Sequence, residues 1–146
     1  MSKNEPAREL FLQILSTRMT FRQAIQRVLR QNKIEMTFEM LQVMHRLWIR
    51  EGVSQQCLAE QTAKEKACLT NLINNLEKKN WVSRCEDPKD KRNRLVFLTP
   101  EGKELCQQVR PLLDGLYARI TRKMTEKQVQ TTINHLIKLS DILNEI

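Results

Sequence analysis

Glycine and proline are scarce: only three glycines (Gly52, Gly102, Gly115) and four prolines (Pro6, Pro88, Pro100, Pro111) interrupt the 146 residues. A many-stranded sheet needs such residues at its turns, so their scarcity points to long helices. It also excludes a phosphate-cradling loop, and neither GxGxxG nor the Walker spacing occurs. Long apolar runs are missing as well. The longest stretch of interest, Leu95-Val96-Phe97-Leu98, is strand-sized, far below the ~20 residues that span a bilayer. No apolar signal segment follows Met1-Ser2-Lys3-Asn4-Glu5-Pro6, so a soluble, cytoplasmic protein without membrane contact is expected. The four cysteines (Cys57, Cys68, Cys85, Cys106) form no CxxC pair and have no histidine at metal-ligand spacing. They are expected to be reduced thiols packed as small hydrophobes, with no metal and no cofactor. His45 and His135 stand alone on predicted helices, without a paired nucleophile or acid, which argues against an enzyme.

What is present is a core and a basic excess. Apolar residues make up 40% of the chain, enough to exclude global disorder and to build one domain over residues 1–146. Lys and Arg number 25 against 17 Asp and Glu, and the resulting +8 charge points to a polyanionic partner. Residues 1–53 hold nine basic and five acidic side chains, residues 54–103 ten and seven, and residues 104–146 six and five. The excess therefore lies in the first two thirds, and the last third is nearly neutral, as an interaction element would be.

Periodicity and caps divide the chain. Apolar steps of three and four predict a first helix over residues 6–31, with Pro6 early enough to need no donor. Thr37 is an N-cap for a second helix carrying Leu41, Met44, Leu47 and Trp48, which stops at Gly52. Ser54 caps a short third helix with Cys57, Leu58 and Ala59. Thr62 and Glu65 form a capping box for a fourth helix reaching about residue 79, with Leu69, Leu72, Ile73 and Leu76 on one face. Ala67, Thr70, Asn71, Asn74 and Lys78 lie on the opposite face, which lacks the alternating Glu and Lys of an ordinary solvated surface. Two strands follow, residues 81–86 and 94–99, joined by a polar, basic tip at residues 87–93. Thr99-Pro100-Glu101 opens a fifth helix, in which Pro111 predicts a kink. Thr125 with Gln128 makes a capping box for the last helix.

Helix, short helix, helix and hairpin is the order of a winged helix-turn-helix, here over residues 34–99. Such a module presents its second long helix to the major groove, and its hairpin supplies a basic contact beside it. Helix N-termini favour phosphate, which makes Ser54, Gln55, Thr62, Lys64 and Lys66 candidate DNA contacts. On the fourth helix Ala67, Thr70, Asn71 and Asn74 face outward, and an Asn amide suits adenine. Lys89 and Lys91 at the tip are within expected reach of phosphates.

Residues 53–103 closely resemble the MarR family of bacterial transcription regulators. The resemblance rests on Val53-Ser54-Gln55-Gln56-Cys57-Leu58-Ala59-Glu60, on Leu69-Thr70-Asn71-Leu72-Ile73-Asn74-Asn75-Leu76-Glu77, on Asp87-Pro88-Lys89-Asp90-Lys91-Arg92, and on Leu98-Thr99-Pro100-Glu101-Gly102. It implies a homodimer built through the terminal helices, residues 1–31 and 100–146, with each copy offering one module to half of a pseudopalindromic duplex operator. It implies that Arg92, held by Asp90, enters the minor groove. It also implies a small-molecule effector pocket, for which His45 and Trp48 are candidates, and a repressor relieved by that ligand. Two positions depart from the family pattern: Asn71 stands where Arg is frequent, and Asn80 where Gly usually follows the helix. A winged-helix protein-interaction module and a thiol-switched regulator are the competing readings.

Overall fold

The computed structural model describes residues 2–62 and 66–146 and, at Lys66, the backbone alone. In order the elements are α1 (Glu5–Gln31), α2 (Phe38–Ile49), β1 (Val53–Ser54), α3 (Gln55–Thr62), α4 (Lys66–Lys78), β2 (Val82–Asp87), β3 (Asp90–Leu98), α5 (Pro100–Lys123) and α6 (Glu126–Asn144). The protein is mostly helical, with a small antiparallel sheet of order β1-β3-β2. It divides into two compact units, Met1–Arg110 and Pro111–Ile146.

Side-chain caps start the helices where the sequence predicts. Thr37 Oγ1 accepts from the Met40 amide at 3.2 Å, Ser54 Oγ from the Cys57 amide at 3.1 Å, and Thr99 Oγ1 from the Gly102 amide at 3.0 Å. Thr125 and Gln128 form the reciprocal capping box at α6, at 3.1 and 3.0 Å. Thr62 is different. It is the last residue of α3, and its hydroxyl donates to the Leu58 carbonyl at 2.6 Å. The capping box expected with Glu65 falls outside the described residues. Pro111 lies inside α5, which runs through it as one helix.

The first unit carries the core. Ile25 and Leu29 of α1, Val43, Met44 and Leu47 of α2, Leu58 of α3, and Leu69, Ile73 and Leu76 of α4 are all buried. Val82, Val96 and Leu98 close that core from the sheet. The register pairs Val82 with Leu98 and Arg84 with Val96, which puts these side chains on one face. Two findings exceed the sequence reading. Val53 and Ser54 form a strand, paired with Val96 and Leu95, so the start of α3 is tied to the hairpin. β3 begins already at Asp90, so the expected seven-residue tip shrinks to a turn at Pro88 and Lys89.

In the second unit, α6 has no buried residue. Ile133, Leu136, Ile137 and Leu143 are exposed along it.

Candidate nucleic-acid interface

The expected contact residues come from α3, α4 and the β2–β3 hairpin, and local bonds fix how these meet. Gln55, at the start of α3, donates from Nε2 to Thr70 Oγ1 at 2.8 Å, linking the short helix to α4. Just beyond α4 the chain turns at a left-handed residue, Asn80 at φ 60°, a conformation Asn adopts more readily than other side-chain-bearing residues. The Trp81 amide then bonds back to the Leu76 carbonyl at 3.1 Å. Thr99 locks the far end of the hairpin to this turn: its hydroxyl donates to the Asn80 carbonyl at 2.6 Å, and its amide to the Trp81 carbonyl at 3.0 Å.

On α4, Ala67 and Asn71 are exposed, and Thr70 is half-buried. Asn74 is half-buried too, and its amide is engaged. Its Oδ1 accepts from Arg84 Nη2 at 2.6 Å. Adenine readout needs that oxygen as an acceptor alongside the Nδ2 donor, so the geometry of Asn74 departs from the freely presented amide expected of a base reader. Arg84, on β2, also meets Glu77 of α4 through Nη2 at 3.1 Å and through Nε at 3.4 Å. Its side chain is 15% exposed, although it is a cation. The hydrogen bonds from Arg84 hold the Glu77 carboxyl below its ordinary value; burial opposes the shift, and the charges of Arg84 and Arg94 add to it.

This cluster was not anticipated, yet the sequence held a signal. Val82 and Arg84 share one side of the strand, and a charge on a core-facing side needs a partner.

At the tip, Lys89, Lys91 and Arg92 are exposed, Arg92 by 96% of its side chain. Asp87 Oδ1 accepts from the Lys89 amide at 2.9 Å and Asp90 Oδ1 from the Arg92 amide at 3.1 Å, so two carboxylates shape the turn. Asp90 holds the backbone of Arg92 more closely than its guanidinium, whose Nε lies 4.0 Å away. Lys64 and the Lys66 side chain fall outside the described residues.

The cysteines split. All four are free thiols, but Cys68 and Cys85 are exposed, which corrects the expectation that all pack as hydrophobes. Cys68 sits on the polar side of α4, and Cys85 alternates away from the core-facing Arg84. Cys106 fits the expectation better, burial pushing its thiol up to about 11.

A cleft of about 450 Å³ lies between α1, the start of α2 and the end of α4, lined by Gln26, Arg30, Ile34, Glu35, Met36, Thr37, Met40 and Lys79. Neither His45, which is exposed, nor Trp48, which is half-buried, lines it. Among the described residues, no group of acids, histidines and cysteines is placed to hold a metal ion. No helix among them is long and apolar enough to cross a membrane.

Residues 37–93 match the MarR family model. The chain is 39% identical over 72 residues to the multiple antibiotic resistance protein MarR of Salmonella typhimurium, a match covering 48% of this chain and 49% of that protein. It is 34% identical over 74 residues to the transcriptional regulator HosA of Escherichia coli O111:H-, covering 51% and 55%. The matched stretch thus spans about half the length of these curated relatives. A mutant MarR from E. coli, solved in complex with operator DNA, superposes with a TM-score of 0.84 at 23% identity, covering 95% of this chain and 99% of that one. At that identity the likeness shows the fold. Family model, relatives and fold point the same way: residues 37–93 match the MarR family model, and the chain has the fold of a solved MarR.

Proposed function

We propose that the protein is a sequence-specific, double-stranded DNA-binding transcription regulator that works as a homodimer. The observation that carries this reading is the joint presentation of a basic hairpin tip and an outward polar helix. Lys89, Lys91 and Arg92 are exposed beside a module whose α4 exposes Ala67 and Asn71. Solvated cations next to a groove-sized helix suit phosphate contact, with Arg92 aimed at the narrow, negative minor groove. Ser54 and Gln55 bring the start of α3 toward the backbone, and Thr70 and Asn71 approach base edges in the major groove. The operator bound by the E. coli MarR relative supports the same partner here. A small-molecule effector that relieves repression belongs to this reading, and the open cleft lined by Arg30, Glu35 and Lys79 is the place to look for it.

The test is selection of bound duplexes from a random pool by the full chain, followed by titration in increasing salt. Enrichment of a pseudopalindrome is expected, with log affinity falling at a slope of about −0.9 per neutralised phosphate. Absence of any enriched sequence, or a salt-independent affinity, removes the reading.

A further inference from the structure

The hairpin of a winged module contributes to binding only if its tip is held in register with the recognition helix. A free two-stranded ribbon in water is marginally stable at best. The base of this hairpin is held by β1 and by the core side chains Val82, Val96 and Leu98. Toward the tip that support ends. Cys85, Glu86, Pro88, Lys89, Asp90, Lys91 and Arg92 are exposed, and the side-chain bonds among them, Asp87 to Lys89 and Asp90 to Arg92, stay within the turn. Arg84 is the outermost residue of β2 whose side chain bonds to α4, three residues or about 10 Å short of the turn.

We propose that Arg84 is the positioning residue that makes wing and recognition helix one rigid contact surface, and that Asn74 serves this clamp rather than a base; the inference rests on the DNA-binding reading. Three features of the chemistry favour it. A guanidinium offers several donors in one plane and accepts nothing, so the Asn74 atom facing it must be the carbonyl oxygen. At 2.6 Å that bond is short and charge-assisted. An adenine amino group would then have to share the same oxygen with a cation, which opposes its approach. Finally, Glu77 lies one helical turn beyond Asn74, and an unpaired carboxylate on a DNA-facing helix would repel the phosphates. Arg84 offsets that charge while it ties the elements together.

The clamp predicts coupling between residues that do not touch. With Arg84 in place, Arg92 is delivered to its groove; without it, the tip samples many positions and Arg92 has less to lose. The experiment uses the full chain and its selected operator. Arg84→Met is expected to weaken binding about tenfold with the selected sequence unchanged, and Arg92→Ala should cost severalfold less in that background than in the native protein. Arg84→Lys, which keeps a charged donor, should recover part of the loss. Asn74→Ala, a change on a half-exposed helix position, should leave every base preference intact, whereas Asn71→Ala relaxes one. Loss of preference at any operator position in Asn74→Ala overturns the inference, as does an equal cost of Arg92→Ala in both backgrounds. If the native chain enriches no sequence at all, the DNA-binding reading itself fails, and that outcome is distinct from either of these.

Discussion

At Gly102 a Cβ would overlap the Trp81 carbonyl oxygen, an atom that already accepts the Thr99 amide at 3.0 Å. The first turn of α5 is thereby pressed onto the backbone that follows α4, with room only for hydrogen at this position. Neither partner is a flexible side-chain end, so a methyl group must push two backbones apart. It would also strain the Thr99 bonds to Asn80 and Gly102. Gly102→Ala is therefore expected to destabilise the protein by about 3 kcal/mol, at the upper end of overpacking costs. Urea denaturation reads this directly, and a loss under about 0.5 kcal/mol would show that the contact yields freely. By contrast, Gly115 has open space around its missing Cβ. Its replacement by alanine in α5 should not destabilise, because the helix gains propensity there.

Between elements, the pair Arg84–Glu77 joins β2 to α4, and its contribution depends on pH in a fixed direction. The Glu77 carboxyl is held below 4.5 chiefly by hydrogen bonds from Arg84. A depressed native value means the stabilisation is present above the ordinary carboxylate range and is lost as pH falls through the depressed value. The stability difference between the native chain and Glu77→Gln should thus be constant from neutral pH down to the ordinary carboxylate range and shrink as the pH falls through and below it. Denaturant titrations across that range check it, and a difference that grows on acidification would contradict the pairing.

This pair also marks how far the sequence could be read. The helices were legible because Thr37, Ser54, Thr99 and Thr125 each announce an N-terminus chemically, and the core faces of α2 and α4 repeat at helical steps. β1 was not legible, since two residues carry no periodicity and their pairing partner lies some forty positions on. The outer part of β3 reads as a loop in sequence for a related reason: Asp90–Asn93 have no core beneath them, and the pairing is irregular there, stepping from Glu86 with Arg94 to Asp87 with Asp90, so no apolar alternation marks the strand. The basic tip was visible as composition. That Asn74 faces a guanidinium was not, because two residues ten positions apart meet only once α4 packs on β2.

For the whole molecule, the question is what covers the apolar side chains left in water. In the first unit Phe11, Leu12, Leu15 and Met19 are exposed on the outer half of α1, Phe11 by 59%, while Ile25 and Leu29 farther along are buried. In the second unit Ile133, Leu136, Ile137 and Leu143 are exposed along α6, spaced to form a helical stripe. Patches of this kind on a small protein mark an interaction surface. A second copy is the proposed partner, because a two-fold dimer covers the same patch on both chains at once. It also suits a pseudopalindromic operator, where half-sites repeat the symmetry of the protein. The full chain is therefore expected to sediment as a dimer at micromolar concentration. Leu136→Glu combined with Ile137→Glu should shift it to monomer, burying no charge in the separated chain because both sites are already exposed. That variant should keep its affinity for a single half-site but lose about a hundredfold on the complete operator, the part supplied by linking two modules. A native chain that sediments as a monomer, or a variant that retains full operator affinity, would show that these stripes have another purpose.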